Sequence, residues 1–208
     1  MKQSIVQDTQ PKLFRPYKFM TDQAQIDECV TLLIQNFKAL KDVFLLLAAR
    51  SDTYPNICEQ DMFAFCLEHK IISNCRYHPF TRVDFAKVYA DTNIEWVDDE
   101  FDENPDDLLN RSEFLEILMR IAHAKYGTKR MVNPFDPTHE ESEDGEHQFT
   151  VAEGLEKIIE AAIIPLSEKE DISGFREFRC HKDARVCQSI MNNHNHLRKL
   201  YGVSFSQL

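Results

Sequence analysis

Glycine is scarce in this chain, five in 208 residues, and no glycine-rich loop of the kind that cradles phosphates can be written from them. Nucleotide binding by that device is excluded. Long apolar runs are missing too. Nowhere do about eighteen apolar residues follow one another, so no membrane-spanning helix is expected. The opening residues MKQSIVQDTQPKLFRPYKF carry no apolar stretch of signal-peptide type, and secretion by that route is not expected. Close paired cysteine spacing is absent. Cys29, Cys58, Cys66, Cys75, Cys180 and Cys187 sit mostly in apolar helical patterns and read as reduced thiols of a cytoplasmic protein. An excess of positive charge is lacking as well: 24 basic residues face 35 acidic ones, for a formal charge of −11. That balance gives no general attraction for phosphate backbones and argues against nucleic-acid binding.

What the chain does have is helical periodicity, enough to bury a real core without disulfide staples. Residues 1–24 are polar, broken by Pro11 and Pro16, and read as an extended arm. Phe14, Tyr17, Phe19 and Met20 either lay that arm along the surface or dock it on a partner. Cys29, Leu32, Leu33, Phe37, Leu40, Val43, Phe44 and Ala48 then trace a long helical stripe, capped at Thr21 or Asp22 and breakable near Asn36–Lys41. A turn at Ser51–Asn56 precedes a helix carrying Met62, Phe65 and Cys66 and ending near His69. After a connector over Ile71–Phe80, Thr81–Asp84 starts a helix with Phe85, Val88 and Tyr89. Phe114, Ile117, Leu118 and Ile121 form one face of the clearest amphipathic helix, with Glu116, Arg120 and Lys125 falling elsewhere. Residues 127–149, with Asn133-Pro134, Asp136-Pro137 and EESEDGEH, read as an acidic linker tethered by Phe135. Residues 150–208 read as a C-terminal helical part. Thr150 and Glu153 make a capping box, Val151, Leu155, Ile158, Ile159, Ala162 and Ile163 face inward until Pro165, and a last helix covers about Asp183–Tyr201. The expected fold class is all-α.

The loops repeat a frame. Helix, about twelve loop residues and helix again is the EF-hand arrangement, and it fits twice between residues 25 and 126. In the first unit the apolar frame is present, with Leu45, Leu46 and Ala49 before the loop and Ile57 where a short strand would form. The ligands are wrong: Arg50 stands first, Pro55 sixth where glycine is wanted, and the short Asp61 last. The second unit has two registers. In one, Asp102, Asn104, Asp106, the Leu108 carbonyl, Asn110 and Glu113 supply oxygen at calcium-loop spacing. In the other, the incoming helix is Thr81–Thr92, and a degenerate loop opens at Asn93 and Glu95, holds an acidic insert, and closes on Leu109, Asn110 and Glu113. Pro105 disfavours a helical backbone at Asn104, and Asp107 replaces the glycine of the sharp bend, so the inserted loop is preferred.

FAKVYADTNIE and the later Leu109…Glu113-Phe114-Leu115-Glu116…Arg120-Ile121-Ala122 resemble EF-hand-like proteins of the calmodulin superfamily found in ciliated and flagellated protists. The resemblance covers about Ile26–Tyr126. It implies a helical scaffold protein attached to cytoskeletal or axonemal assemblies, located in the cytoskeleton or cilium, with hands that need not bind metal. It supplies no catalytic residues.

Other constellations do not carry chemistry. Cys180, Cys187 and His194 are seven apart, about 10.5 Å of helix rise per step, so one helix cannot close them on a zinc ion whose ligands lie at about 2 Å. His194-Asn195-His196 spells a nuclease tripeptide without its strand-turn-helix frame. No nucleophile, base and orienter can be assigned, and no enzyme activity is expected. The dense carboxylates of Asp98–Asp107 read as a solvated insert. The expectation is therefore a structural adaptor that binds partner helices in an apolar groove, without a cofactor, the alternative being a calcium sensor using the second hand.

Overall fold

The computed structural model describes residues 14–51, 53–75, 77–93, 107–127 and 148–169. Residues Met1–Ser167 form one compact unit; a second, Glu168–Leu208, lies almost wholly outside the described residues, and with it the expected last helix and the Cys180–His196 cluster. The described residues are predominantly helical, so the all-α expectation holds.

Helix α1, Gln23–Gln35, starts where the Asp22 carboxylate accepts the Ala24 and Gln25 amides at 3.0 and 3.4 Å. Asn36 interrupts the long stripe by turning its own amide onto the Leu32 carbonyl, 2.9 Å, and α2 runs on from Phe37 to Arg50. Strand β1, Ile57–Cys58, leads into α3, Glu59–Glu68. Helix α4 spans Arg82–Asn93, and β2, Leu108–Leu109, leads into α5, Arg111–Ala122. The two strands pair antiparallel, Ile57 opposite Leu109 and Cys58 opposite Leu108. Two helix–loop–helix units are thus joined by a two-residue ladder whose inner side chains, Ile57 and Leu109, are fully buried.

Helix α5 continues through a π-helical turn, His123–Gly127. The helical run resumes as α6, Val151–Ile158, with a second π-helical turn over Ile159–Ile163 and then α7, Ile164–Lys169. The Thr150–Glu153 capping box is present in both directions, at 3.2 and 2.7 Å. The run does not stop at Pro165 as expected. Pro165 has no N–H to donate, and the wider π turn before it makes room where its ring would meet the preceding turn.

The core lies between α1, α2, α5 and α6. Helix α6 packs on α1 and α5, and its first amide reaches the Gln25 side chain at 3.4 Å. Gly154 makes that approach possible. A Cβ there would stand 2.5 Å from Tyr126 Cδ2, so only glycine lets α6 close onto the π turn. Tyr126, His78 and Phe149 form a three-ring cluster at 5.2–5.4 Å centroid spacing, which ties the 71–80 connector to the start of α6.

Residues 14–20 are not a free arm. Phe14 and Met20 are buried on either side of a 3₁₀ turn at Pro16–Lys18, and the segment lies on α5. Phe14 and Met20 hold the segment to its own chain, while Tyr17 stays exposed. Glu116 and Lys125, placed by periodicity away from the apolar face, are also buried. The reason is that α5 is covered on several sides by segments distant in sequence.

Candidate functional site

Of the six oxygen donors read as a calcium set, Asp102, Asn104 and Asp106 lie outside the described residues. Leu108 belongs to the ladder. Asn110 and Glu113 cap α5 reciprocally: the Asn110 side chain accepts the Glu113 amide at 3.0 Å, and the Glu113 carboxylate accepts the Asn110 amide at 2.8 Å. Ser112 adds its hydroxyl to the same Asn110 oxygen at 2.6 Å. Near the positive end of the helix, a mostly buried carboxylate is favoured with or without an ion. Among the described residues no three His, Cys, Asp or Glu side chains gather as a metal site.

The first loop closes on itself. Ser51 Oγ and Thr53 Oγ1 share a 2.6 Å hydrogen bond, and the Asn56 amide donates to the Thr53 carbonyl at 3.1 Å. Cys58 stands at the N-cap of α3 without a side-chain bond to the helix amides, and its thiol donates to Asp61 at 3.0 Å. Arg50 ends α2 exposed to solvent. In this loop Arg50 and Pro55 offer a guanidinium and a proline ring where a calcium loop needs oxygen and glycine.

Between the loops stands Tyr89, on α4. Its hydroxyl donates to the Asp107 carbonyl at 2.8 Å and lies 3.4 Å from the Ile57 carbonyl, so one side chain touches the backbone of both loops. Burial pushes its phenol well above the usual range, which keeps it a donor at any ordinary pH. One turn on, Asn93 closes α4 with its carboxamide buried; among the described residues neither polar atom makes a well-formed hydrogen bond, although the side chain interacts with the Tyr89 hydroxyl. Periodicity identified Tyr89 as an inward residue but gave no sign of its hydrogen bonds. Asn93 was legible only as the first position of the inserted loop.

Two further elements cover α5. Helix α6 lies along one side, and the second π turn reaches α2. On another side, Glu116 accepts the Arg15 amide at 2.9 Å with one oxygen and Arg120 Nε at 2.8 Å with the other. The four described cysteines, Cys29, Cys58, Cys66 and Cys75, are free thiols; burial raises Cys29 to about 12 and pushes Cys66 higher still, which disfavours the thiolate at both. No helix among the described residues is long and apolar enough to cross a membrane.

No protein-family model, curated protein or solved structure matches the chain.

Proposed function

We propose that this chain is a non-enzymatic structural adaptor built on a degenerate EF-hand pair, acting through protein partners in a cytoskeletal, specifically axonemal, assembly. The observation that carries the fold part is the ladder between Ile57 and Leu109, which couples two helix–loop–helix units loop to loop, as paired hands are coupled. Degeneracy rests on Arg50, Pro55 and Asp61 in the first loop and on the preferred inserted register of the second. In this reading the groove of the pair is filled in cis by residues 151–163, which packs α1, α2 and α5 without a partner helix. Partners then meet outer faces. The axonemal site of action rests on the sequence resemblance alone.

A calcium-responsive sensor is the second reading, and Asn93 favours it. A buried carboxamide with no well-formed hydrogen bond among the described residues, at the first position of the inserted loop, is the type of group a cation would satisfy. Calorimetric titration of the purified protein separates the two. The adaptor reading expects no calcium heat up to millimolar concentration, whereas micromolar binding that Glu113→Gln abolishes would replace it with the sensor. Fractionation of the source cells tests location: the protein should remain with detergent-extracted axonemes, and a fully soluble distribution would remove the assembly role.

A further inference from the structure

We infer that helices α3 and α4 together form a self-complementary face on which a second copy of this chain docks, α3 of one copy lying on α4 of the other about a two-fold axis. The inference goes beyond the adaptor reading and stands independently of it. The face is built around Phe63, half-buried on α3. Its ring meets Phe85 of α4 edge-on at 5.4 Å and has the Arg82 guanidinium 5.3 Å from its centre. One turn along α3 from Phe63 stands Leu67, and beside Arg82 stands Val83; these two apolar side chains are 56% and 78% exposed. The other exposed apolar residues of the two helices, Ala64, Ala86 and Ala90, are small, which leaves room for the close approach of another helix.

Single exposed apolar residues are ordinary on a protein surface, and the charges are what set this face apart. The exposed charges of α3 are both acidic, Glu59 and Glu68, and those of α4 are both basic, Arg82 and Lys87. Asp61, Asp84 and Asp91 are half-buried, and the first two are engaged at the starts of their own helices, by the Cys58 thiol and by Thr81. Lys70 follows in the turn beyond α3. Although the two helices touch through Phe63 and Phe85, none of the four exposed charges pairs with another among the described residues. A partner carrying one sign of charge would satisfy one helix and oppose the other. A second copy turned through half a circle satisfies both, because each acidic helix then meets a basic one. Size sets the strength. The helices are about 15 and 18 Å long, too short to supply the roughly 800 Å² per partner of a standard interface, and exposed ion pairs add little. The dimer is therefore weak, with a dissociation constant of roughly 10–500 µM.

Sedimentation equilibrium of the full-length protein, from about 10 µM to about 1 mM, tests this. The average mass should rise with concentration toward that of a dimer, and rise less at about 500 mM salt than at about 50 mM. Leu67→Asp alters a side chain that the monomer leaves in solvent, so it should fold and weaken association about fivefold or more. Two charge variants locate the contact. Glu59→Lys with Glu68→Lys makes the exposed charges of both helices basic, and Arg82→Glu with Lys87→Glu makes them acidic. Each should associate with itself about fivefold less than the native chain, and an equimolar mixture of the two should recover the dimer, since α3 of each then meets an opposite charge on α4 of the other. A monomer throughout the range would leave the face to a different protein and overturn the proposal. A dimer untouched by Leu67→Asp, or charge variants that recover nothing on mixing, would overturn it as well, by placing the contact elsewhere. If a charge variant does not fold, the Leu67→Asp and salt results decide.

Discussion

Helices α3 and α5 occupy equivalent places, each following one strand of the ladder, yet they live in different surroundings. Of the twelve residues of α5 ten are buried, against three of ten in α3, so the second unit and not the first is the hub of the fold. Both helices carry an apolar face toward the ladder: Met62, Phe65 and Cys66 in one, Phe114, Ile117, Leu118 and Ile121 in the other. The difference comes from what is added. Residues 14–20, α4 and α6 enclose α5, while α3 keeps Leu67 in solvent. A repeated frame therefore fixes where two helices lie but not how deeply each is buried; later segments decide that.

The contrast can be broken most forcefully at Phe114, fully buried and 5.7 Å ring to ring from Phe44. Phe114→Ala should lower unfolding free energy by about 3–5 kcal/mol in urea titration, whereas Leu67→Ala on α3 should change it by no more than about 0.5 kcal/mol. Equal effects would show the two helices to be equivalent after all. Next in size is the covering of α5 by α6. Gly154→Ala forces a methyl group into Tyr126, an overpacking cost of about 1–3 kcal/mol, against about 1 kcal/mol gained in helix propensity. A net loss of stability is expected, and Tyr126→Leu in the same chain should recover part of it. A gain in the G154A single variant would mean that α6 is not held against the π turn.

The smallest effect concerns the caps. Asn110→Ala breaks a reciprocal capping box and should cost about 1 kcal/mol in thermal or urea unfolding. Cys58→Ala, at the same place in the first unit, removes no side-chain bond to the helix amides and should cost less than half of that. Comparable losses would show that the Cys58–Asp61 contact serves as a cap.

Local signals were legible in the sequence. Asp22, Asn110 and Thr150 act as caps because a short polar side chain before an apolar run has few better partners than the helix amides that follow it. The break near Asn36 and the strand at Ile57 were legible for the same reason, being written in residues a few positions apart. The burial of Glu116 and Lys125 was not. Glu116 is covered by a segment about a hundred residues upstream, and Lys125 donates to the Ile71 carbonyl at 2.8 Å and to Ser73 at 3.2 Å, across a connector that periodicity does not locate. A charged residue on the outer face of an amphipathic helix looks the same in sequence whether water or another segment meets it. Of the candidate cation site, Asn110 and Glu113 were read as oxygen donors closing a loop and not as the reciprocal cap they form, and the burial of the Asn93 carboxamide was not readable, since it depends on everything folded around it.

The Gln25–Val151 contact joins the first helix to one made much later. During synthesis the ribosome delivers α1 and α5 before α6 exists, and at about 5–20 residues per second their shared apolar face stays bare for seconds. That face is covered only once residues up to Ile158 have emerged and α6 can pack on it. A chain cut before Thr150 would remain permanently in the uncovered state.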